Sequence, residues 1–403
     1  MGMVATGKAQ EEQQARAADL HRPLVVQVVR QYLPNRGGLE DVVRNLSRQL
    51  LARGLRVRVV TLDRLFADPG HVLAAREVID GVEVVRIPWR GSSRYPLAPA
   101  VFRHLADADL IHVHGVDFFF DALAFGRCLH GKPMVATTHG GFFHTSAHGR
   151  LKRIWFNTAT RLSGFAYRAI ICCSASDLAL FQKIHRHRSV LIENGVDTLK
   201  FAGLAPSAPR RRLLTIGRFS RNKRLERLLD VMAALVAREP DWHLDIAGAP
   251  SDLTESDLSA LIASHGLERH VNLHVRPGDL DLRRLAEQAS LFVSASDYEG
   301  FGLVAVEAMS AGLLPVLNAN QAYQALAEQH RDVQLADFSK PARAADAVEK
   351  AYRHLLAEGE ALPQRLVSAA ARYSWEGVTE AHLALYADAL PRSAGKAWVG
   401  AGA

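Results

Sequence analysis

The sequence predicts an α/β protein with two domains, each built on a mainly parallel sheet. A chain of 403 residues exceeds what one ordinary core supports. Short apolar runs alternate with helical patterns in both halves, which is typical of parallel α/β folds. Residues 202–212 combine prolines with small residues and lack periodicity, as linkers do. Because ligands bind at the carboxyl ends of parallel strands, we expect a site in a cleft between the domains.

The first predicted domain spans residues 23–203 and follows a flexible tail at 1–22. A helix is predicted at 39–53, where Gly54 stops it after the turn 34–38. The predicted strands are the buried-type apolar runs at 24–29, 57–60, 82–87, 110–114, 134–138, 169–173 and 190–193.

The second predicted domain spans residues 204–375 and repeats the same alternation. Its predicted strands and helices follow each other as strand 213–216, helix 224–238, strand 243–247, helix 255–265, strand 271–275, helix 280–289, strand 291–294 and helix 303–311. A capped amphipathic helix is predicted at 376–390, and the pattern leaves open whether it packs back on the first domain.

Composition and charge limit the classes of function. The chain is 48% hydrophobic and 23% charged, has no apolar run of membrane-spanning length, and shows no secretory leader in residues 1–20. Its three cysteines have neither disulfide nor metal spacing, which favours a cytoplasmic location. Residues 1–205 hold 27 Lys and Arg against 17 Asp and Glu (+10), and residues 206–403 hold 22 against 25 (−3).

The basic first half predicts an anionic partner. No zinc-finger spacing or aromatic RNA-binding strand is present, so we expect an anionic membrane surface rather than nucleic acid. At 148–157, basic residues alternate with Leu151, Ile154, Trp155 and Phe156, as on an interfacial helix. The same pattern also fits a core-facing helix with a solvated basic edge. The protein is therefore predicted to lie peripherally at the inner face of the cytoplasmic membrane.

The segment from Glu299 to Glu307 carries the most specific chemical signal. A strand is followed by Glu299, a turn with two glycines, a helix, and Glu307 eight positions later. A glycine-rich turn that opens a helix offers free N–H groups to a phosphate. Two carboxylates beside it suit the hydroxyls of a polyol. The arrangement predicts a nucleotide-sugar site, although Glu299 could equally be a residue that compensates the helix dipole and Glu307 a residue on a solvated helix face.

Three further features fall at predicted strand ends. Arg218 and Lys223 follow the strand 213–216 and form a suitable diphosphate clamp. His139 follows the strand 134–138 beside two glycines and can approach a ligand closely. Gly37 and Gly38 open the first helix with a short phosphate-type turn, which is weak evidence on its own because neither standard glycine-rich motif is present.

Together these features resemble one family. The Gly-Gly turn, His139-Gly140, the sequence 194–197 (Asn-Gly-Val-Asp), the Arg218 and Lys223 pair, and the Glu-x7-Glu motif occur in the order seen in the large retaining glycosyltransferase family four. The resemblance covers about residues 23–390 and implies the GT-B fold, in which two Rossmann-like domains face a cleft. Residues 294–318 look most like the bacterial α-mannosyltransferases of xanthan- and acetan-type exopolysaccharide assembly.

This resemblance implies GDP-mannose as donor and a polyprenyl-diphosphate-linked cellobiose as acceptor, joined in an α-1,3 linkage. It also implies donor-binding roles in the second domain. Arg218 and Lys223 would hold the diphosphate, Glu299 the transferred sugar and Glu307 the ribose. The backbone N–H groups of three residues would cradle sugar and phosphate: Phe301, Gly302 and Leu303.

In the first domain, the resemblance implies that Gly38 approaches the distal phosphate and that His139 contacts the sugar near the reacting carbon. The base would rest near Arg276. The chain departs from the family pattern at two places. Arg224 stands where a glycine is common, and the residues after Pro315 lack the usual glycines, which puts sugar contacts beyond Glu307 in doubt.

The family mechanism implies same-face attack with retention, in which the leaving diphosphate takes the acceptor proton. A double displacement with Glu299 as nucleophile is the alternative. No metal or other cofactor is expected, because Asp279 and Asp281 are predicted to start a helix rather than to bind a cation. The sequence leaves open a UDP-sugar donor, a nucleotide-sugar isomerase or epimerase, and a non-catalytic sensor of nucleotide sugars.

Overall fold

The computed structural model describes residues 22–35, 37–93, 95–140 and 153–390. The chain divides into two compact units. The first unit runs to Asn194 and resumes at Trp375, and the second unit spans Gly195–Ser374. Each unit has one large sheet and its own apolar core. The fold class predicted from the sequence, two α/β units with parallel sheets, is confirmed.

The first unit contains ten described strands: β1 (Leu24–Val29), β2 (Arg56–Leu62), β3 (Arg76–Ile79), β4 (Val82–Ile87), β5 (Arg90–Ser92), β6 (Tyr95–Leu97), β7 (Leu110–His114), β8 (Met134–Thr137), β9 (Ala169–Cys172) and β10 (Ser189–Leu191). Eight of them form a sheet in the order β10-β9-β8-β7-β1-β2-β4-β3. All neighbours in that sheet are parallel except β3 and β4, and β5 and β6 form a separate hairpin. β1 is buried along its whole length, as expected for a central strand covered on both faces.

The helices of this unit that precede residue 194 are α1 (Gly38–Ala52), α2 (Phe118–Phe125), α3 (Arg127–His130), α4 (Arg161–Gly164), which continues a π-turn at Phe156–Thr160, and α5 (Ala175–His185). Their starts follow ordinary capping chemistry. Asp117 accepts from the amide of Phe119 before α2, and Ser174 accepts from the amide of Asp177 before α5.

The second unit has a fully parallel six-stranded sheet. Its strands are β11 (Arg212–Ile216), β12 (His243–Gly248), β13 (Val271–Val275), β14 (Leu291–Ser294), β15 (Leu314–Asn318) and β16 (Gln334–Ala336), in the order β13-β12-β11-β14-β15-β16. Its helices are α6 (Leu225–Val236), α7 (Glu255–Ser264), α8 (Asp279–Gln288), α9 (Leu303–Ala311), α10 (Gln321–Gln329), α11 (Pro341–Glu358) and α12 (Ala361–Ala371). The order reverses beside β11 and β14, so the loops after these two strands meet at one sheet edge.

The division between the units lies before the linker predicted at 202–212. Val196 already donates its amide to the carbonyl of Tyr373 at 2.7 Å. Further along, Gly203 and Ala205 donate to Ser310 and Ala311 at 3.0 and 2.7 Å. The proline-rich stretch is therefore tied to the second unit by backbone hydrogen bonds rather than spanning free between two bodies.

The last helix, α13 (Trp375–Ala389), belongs to the first unit. It packs against α1 and β8, and Glu380 forms an ion pair with Arg53 of the segment after α1 at 2.8 Å. The phenol of Tyr386, which is fully buried, bonds to the ring of His112 on β7 at 2.6 Å. The chain thus returns to its first unit after completing the second.

No helix in the described part of the chain has the length and apolar character needed to cross a bilayer.

Candidate functional site

The loop after β11 carries Lys223, which forms an ion pair with Glu299 at the edge of the second sheet. Lys223 ends a short 3₁₀ turn at Arg221–Lys223, and its ammonium lies 2.6 Å from a carboxylate oxygen of Glu299. Gly217 allows this approach, because a Cβ there would lie 3.0 Å from Cε of Lys223. Two of the predicted site residues are therefore in direct contact.

Glu299 has a second partner, the hydroxyl of Tyr323. The Tyr323 hydroxyl, on α10, lies 3.2 Å from the Glu299 oxygen that Lys223 contacts and 2.9 Å from the hydroxyl of Ser294. Tyr323 is buried, and burial followed by the charge of Glu299 raises the pKa of its phenol well above the usual value. The phenol therefore stays protonated and can donate to the carboxylate, which fixes the direction in which Glu299 points.

The loops on either side of this pair are joined by further bonds. Asp297 accepts from the guanidinium groups of Arg224 and Arg227 at 2.5 and 2.8 Å. Asn222 accepts from the amide of Asp297 through its carbonyl and donates its side-chain amide to the carbonyl of Tyr298 at 2.8 Å. Arg224, which stands where a glycine is common in the family, thus holds the two loops together.

The helix α9 starts at a glycine that the geometry requires. Gly302 has a φ of +88°, and a Cβ on it would lie 2.9 Å from the ring of Tyr323. No side chain caps the start of α9, and its first turn contains no acidic residue. The amides of Leu303 and Val304 have no partner inside the helix, as in every helix start, so they can bind an anion.

The other donor-site residues predicted in this unit occupy the same end of the sheet. Arg218 is exposed just beyond β11, and its guanidinium forms no hydrogen bond or ion pair with another described residue. Arg276 follows β13 with a φ of +48° and is exposed, while its amide donates to Gly248 at 2.7 Å. Glu307 lies on α9 and is partly buried. A cationic turn, a held carboxylate and a free helix start therefore lie at one edge of the second sheet.

After Pro315, where the family usually has glycines, this chain has asparagines whose side chains form hydrogen bonds. The side-chain amides of Asn318 and Asn320 both donate to the carbonyl of Ser296, at 3.2 and 3.0 Å. Asn320 also caps α10 by accepting from the amide of Tyr323 at 3.0 Å. These asparagines fix the helix that carries Tyr323 and so support Glu299 indirectly.

His139 lies in the first unit, directly after β8. Its φ is +53°, which few residues other than glycine adopt. Its Nε2 lies 2.8 Å from Nδ1 of His114, and Nε2 of His114 forms a short hydrogen bond with the side-chain oxygen of Gln27. Burial, with a smaller effect of His382, lowers the pKa of His139 to about 3. The imidazole is therefore neutral near pH 7.

Asp177 of α5 holds the segment around His139 on both sides. One of its carboxylate oxygens accepts from the hydroxyl of Thr138 at 2.5 Å and from the amide of Gly140 at 2.9 Å. Asp177 is itself buried. The strained conformation of His139 is thus fixed by bonds to its two neighbours in sequence.

The remaining predictions concern Gly38, the pair Asp279 and Asp281, and the segment 148–157. Gly38 is exposed and begins α1, whose first turn carries Glu40 and Asp41, so an anion would meet negative charge there. Asp279 and Asp281 begin α8, as predicted, and Asp281 accepts from the amide of Gly278 at 3.2 Å. Of the membrane segment predicted at 148–157, residues 148–152 lie outside the described residues.

Sequence reasoning missed three residues that position the site. Gln27 had a usable signal, because it is the single polar residue in the otherwise apolar strand β1. Asp177 and Tyr323 had none, since an acid or a tyrosine on a helix is ordinarily a surface or core residue. His112 and His114, both on β7, are almost fully buried.

Two protein-family descriptions match the chain. Residues 36–200 match "Glycosyltransferase Family 4", and residues 198–372 match "Glycosyl transferases group 1".

Curated proteins of high similarity share one name. The chain is 44% identical to the GDP-mannose:cellobiosyl-diphosphopolyprenol alpha-mannosyltransferase of Xanthomonas campestris, over 91% of this chain and 97% of that protein. It is 42% identical to the protein of the same name from Komagataeibacter xylinus, over 92% of this chain and 94% of that one. Among solved structures, Anabaena Alr3699/HepE in complex with UDP and glucose matches with a TM-score of 0.69 at 18% identity, covering 91% of this chain and 100% of that one. That structural likeness concerns the fold alone.

Proposed function

Because the chain belongs to the glycosyltransferase family, with a family 4 region followed by a group 1 region, we propose that it transfers an α-mannosyl group from GDP-mannose to a lipid-diphosphate-linked cellobiose. The observation that carries this proposal is the 44% identity with a curated enzyme of that name, over 97% of its length. The product would be an intermediate of exopolysaccharide biosynthesis, with the mannose in an α-1,3 linkage.

The edge of the second sheet supplies the donor site in this proposal. Arg218 and Lys223 bind the diphosphate, since a guanidinium and an ammonium beside a free helix start attract phosphate oxygens. Glu299 accepts from hydroxyls of the mannose, and Glu307 from those of the ribose. The amides of Phe301, Gly302 and Leu303 line sugar and phosphate, and the base rests near Arg276. In the first unit, His139 contacts the sugar, whereas Gly38 is left out of the site because Glu40 and Asp41 lie in the same helical turn.

The reaction proceeds with retention of configuration on one face of the mannose. The bond between C1 and the β-phosphate oxygen of GDP breaks, and a bond from C1 to the acceptor hydroxyl oxygen forms. The proton of that hydroxyl passes to the leaving phosphate oxygen. Glu299 does not act as a nucleophile, because its carboxylate is already paired with Lys223 and bonded by Tyr323. The protein contributes positioning and stabilisation of charge on the leaving group.

A divalent metal is not required in this proposal, because the cationic side chains of Arg218 and Lys223 offset the diphosphate charge. Turnover is therefore expected to persist in EDTA. Loss of turnover in EDTA that is restored by Mg²⁺ or Mn²⁺ would contradict this part of the proposal.

The main test is transfer of labelled mannose. Purified protein is incubated with GDP-[¹⁴C]mannose and cellobiosyl-diphosphopolyprenol, with UDP-glucose and UDP-galactose as alternative donors. We expect a labelled trisaccharide lipid only with GDP-mannose, and only when the acceptor is added. Turnover with a UDP-sugar would show a different donor. Conversion of the donor without acceptor would show an epimerase, and binding without any turnover would show a sensor.

We also propose that the first unit docks on an anionic membrane surface, where a lipid-linked acceptor would lie. Large apolar side chains between 54% and 75% exposed occur on α2, α3, and the neighbouring segment 153–165: Phe125, Leu129, Ile154, Leu162 and Phe165. The same segments carry exposed arginines at positions 127, 153 and 161. Because α2 packs against both α3 and α4, these residues belong to one region of the unit. Exposed apolar groups among basic ones suit an interface with anionic lipid.

Vesicle sedimentation tests this docking. At low salt the protein should pellet with vesicles that contain phosphatidylglycerol and stay in the supernatant with pure phosphatidylcholine. The double variant Leu129→Gln, Phe165→Gln should lose most of the binding. Val78→Gln is the matched control, because Val78 is 72% exposed but lies on the edge strand β3. Equal retention of all three proteins, or retention of none, would reject the surface.

A further inference from the structure

We propose that Gln27 and His114 are positioning residues that set the tautomer of His139, so that His139 presents its unprotonated Nδ1 to a substrate hydroxyl. The chemical class of ligand at this nitrogen is a sugar hydroxyl that donates a proton. The proposal rests on the proposed function for the identity of the substrate, but its central claim concerns the free protein.

The geometry is a linear chain of three side chains on adjacent strands. Gln27 lies in the middle of β1, His114 ends β7, and His139 follows β8. The Gln27 side-chain oxygen contacts Nε2 of His114, and Nδ1 of His114 lies 2.8 Å from Nε2 of His139. Gln27 and His114 are almost fully buried, so water does not compete for these bonds.

With the side-chain oxygen of Gln27 facing His114, the chemistry of the groups sets the direction of each bond. An amide oxygen only accepts, so Nε2 of His114 must carry a hydrogen. A neutral imidazole has one N–H, so Nδ1 of His114 is an acceptor. Nε2 of His139 must then be the donor. In a neutral ring this leaves the lone pair on Nδ1 of His139.

The neutral form of both rings is favoured by their surroundings. No carboxylate forms a hydrogen bond or ion pair with either ring among the residues that the structure describes. Burial is the largest cause of the lowered pKa of both imidazoles, and neighbouring histidines lower it further. Both rings are therefore neutral at pH 7, and each carries one hydrogen.

A second chain of bonds keeps the neighbouring ring from interfering. His112 packs 4.0 Å from His114, centroid to centroid, yet its two nitrogens are engaged by Tyr386 at 2.6 Å and by Thr137 at 2.7 Å. The Nδ1 atom of His139, by contrast, has no hydrogen-bond partner among the described residues. Among the ring nitrogens of His112, His114 and His139, this is the one that the described residues leave open to a ligand.

The backbone and the ring proton of His139 are fixed by different residues. Asp177 fixes the backbone around His139, and the Gln27–His114 chain fixes the proton on its ring. A hydroxyl that donates to Nδ1 can then keep its own oxygen lone pairs for other contacts. A flipped tautomer would place an N–H at the same spot and would repel that hydroxyl hydrogen.

Imidazole ¹⁵N NMR tests the claim directly. Protein labelled with [¹⁵N-imidazole]histidine is measured at pH 7, and His139 is assigned by comparison with His139→Asn. We expect the nitrogen shifts of a neutral ring protonated at Nε2. In Gln27→Met, which cannot accept, we expect His114 and His139 to shift towards the Nδ1–H tautomers. A charged His139, or one protonated at Nδ1 in the wild type, would overturn the proposal even if the variant failed to fold.

Thr137→Val is the matched control. It also removes one buried hydrogen bond from a neighbouring histidine, His112, but leaves the Gln27–His114–His139 chain intact. Its His139 shifts should equal those of the wild type. Transfer should fall about tenfold more in Gln27→Met than in Thr137→Val, the effect of one hydrogen bond, while GDP affinity stays the same in both. Equal losses in the two variants would reject a positioning role.

The two proposals fail separately. The expected tautomer with no turnover on GDP-mannose would reject the donor assignment alone. Turnover on GDP-mannose with the opposite tautomer would reject the role of Gln27 and His114 alone.

Discussion

The ammonium of Lys223 lies 2.6 Å from a carboxylate oxygen of Glu299, although the two residues are 76 positions apart in sequence. Both side chains are less than a quarter exposed, at 20% and 16%. A cation proposed for the donor diphosphate is thus paired with the acid proposed for the transferred sugar. The orientation of each depends on the other, so variants of either should be interpreted as changes to a pair.

Replacing Glu299 by alanine should separate transfer from nucleotide binding. The variant loses the acceptor for mannose hydroxyls but frees the charge of Lys223 for phosphate. We expect the rate of transfer to fall by about 10- to 100-fold, the range for one hydrogen bond to a charged group. GDP affinity should be equal to or slightly tighter than that of the wild type. Calorimetric titration with GDP beside a transfer assay measures both.

Lys223→Met is the companion variant for Glu299→Ala, because it breaks the same ion pair from its other end. It should weaken GDP binding, which Glu299→Ala should not. A loss of GDP binding in Glu299→Ala as severe as its loss of transfer would overturn this division of roles.

Removal of the Tyr323 hydroxyl should affect transfer through Glu299. In Tyr323→Phe the ring still packs in the core, but the bonds to Glu299 and Ser294 are lost. Stability should fall by about 2 kcal/mol, because two hydrogen bonds of about 1 kcal/mol each are lost. Transfer should also fall, because Glu299 keeps only Lys223 as a partner. A double-mutant cycle with Glu299→Gln should show that the two losses are not additive. Additive losses would show that Tyr323 acts independently.

Gly302→Ala should damage the turn before α9. The positive φ costs about 1–2 kcal/mol for a residue with a Cβ, and the new Cβ would press on the ring of Tyr323. We expect a lower melting temperature and the loss of most transfer activity. Gly266→Ala is the control, since Gly266 has a φ of +66° in the same unit with nothing within 4 Å. It should lose stability to a smaller degree and keep its activity. Equal effects would show that contact with Tyr323 is unimportant.

The buried histidines predict a loss of stability at mildly acidic pH. Burial lowers the pKa of His382 to about 4, and it holds the pKa values of His112 and His114 well below their usual range. Below about pH 6.5 the unfolded chain binds protons on these rings that the folded chain excludes. Each ring should therefore reduce the free energy of unfolding by about 1.4 kcal/mol per pH unit as the pH falls, until its folded pKa is reached.

Urea denaturation between pH 7.5 and 5 measures this slope. His382→Gln should lower the slope by about one proton, because it removes one titrating ring. The first unit, which holds all three rings, should unfold before the second as the pH falls. An unchanged slope in His382→Gln would contradict the assignment.

The bounds of β1, β4, β7, β13 and β14 were predicted from sequence because each is a short segment rich in Val, Ile, Leu or Phe between turn residues. The strands β3, β5, β6, β15 and β16 were not predicted. The β3 side chains are mostly exposed, so no burial pattern marks that strand. The helices α10, α11 and α12 were also left unassigned. The family predicted from the order of the motifs is confirmed by the matches to known proteins.

The residues proposed to contact the substrate could be predicted from the sequence, but the residues that hold them in place could not. Arg218, Lys223, Glu299 and His139 follow strands that could be assigned locally, so their position at a sheet edge followed. Their supports come from elsewhere in the chain: Tyr323 from α10 and Asp177 from α5. Such pairings depend on how helices pack on the sheet, which the periodicity of a single sequence does not determine.

The return of α13 to the first unit has a consequence for biosynthesis. During translation, β7 and β8 emerge from the ribosome long before Tyr386, the residue that caps the ring of His112. The second unit, contiguous in sequence from Gly195 to Ser374, can complete its fold while the first still lacks its last helix. The nascent first unit therefore keeps an uncovered face until α13 has been synthesised. A chain released at residue 374 would hold the whole second unit and a first unit without its last helix.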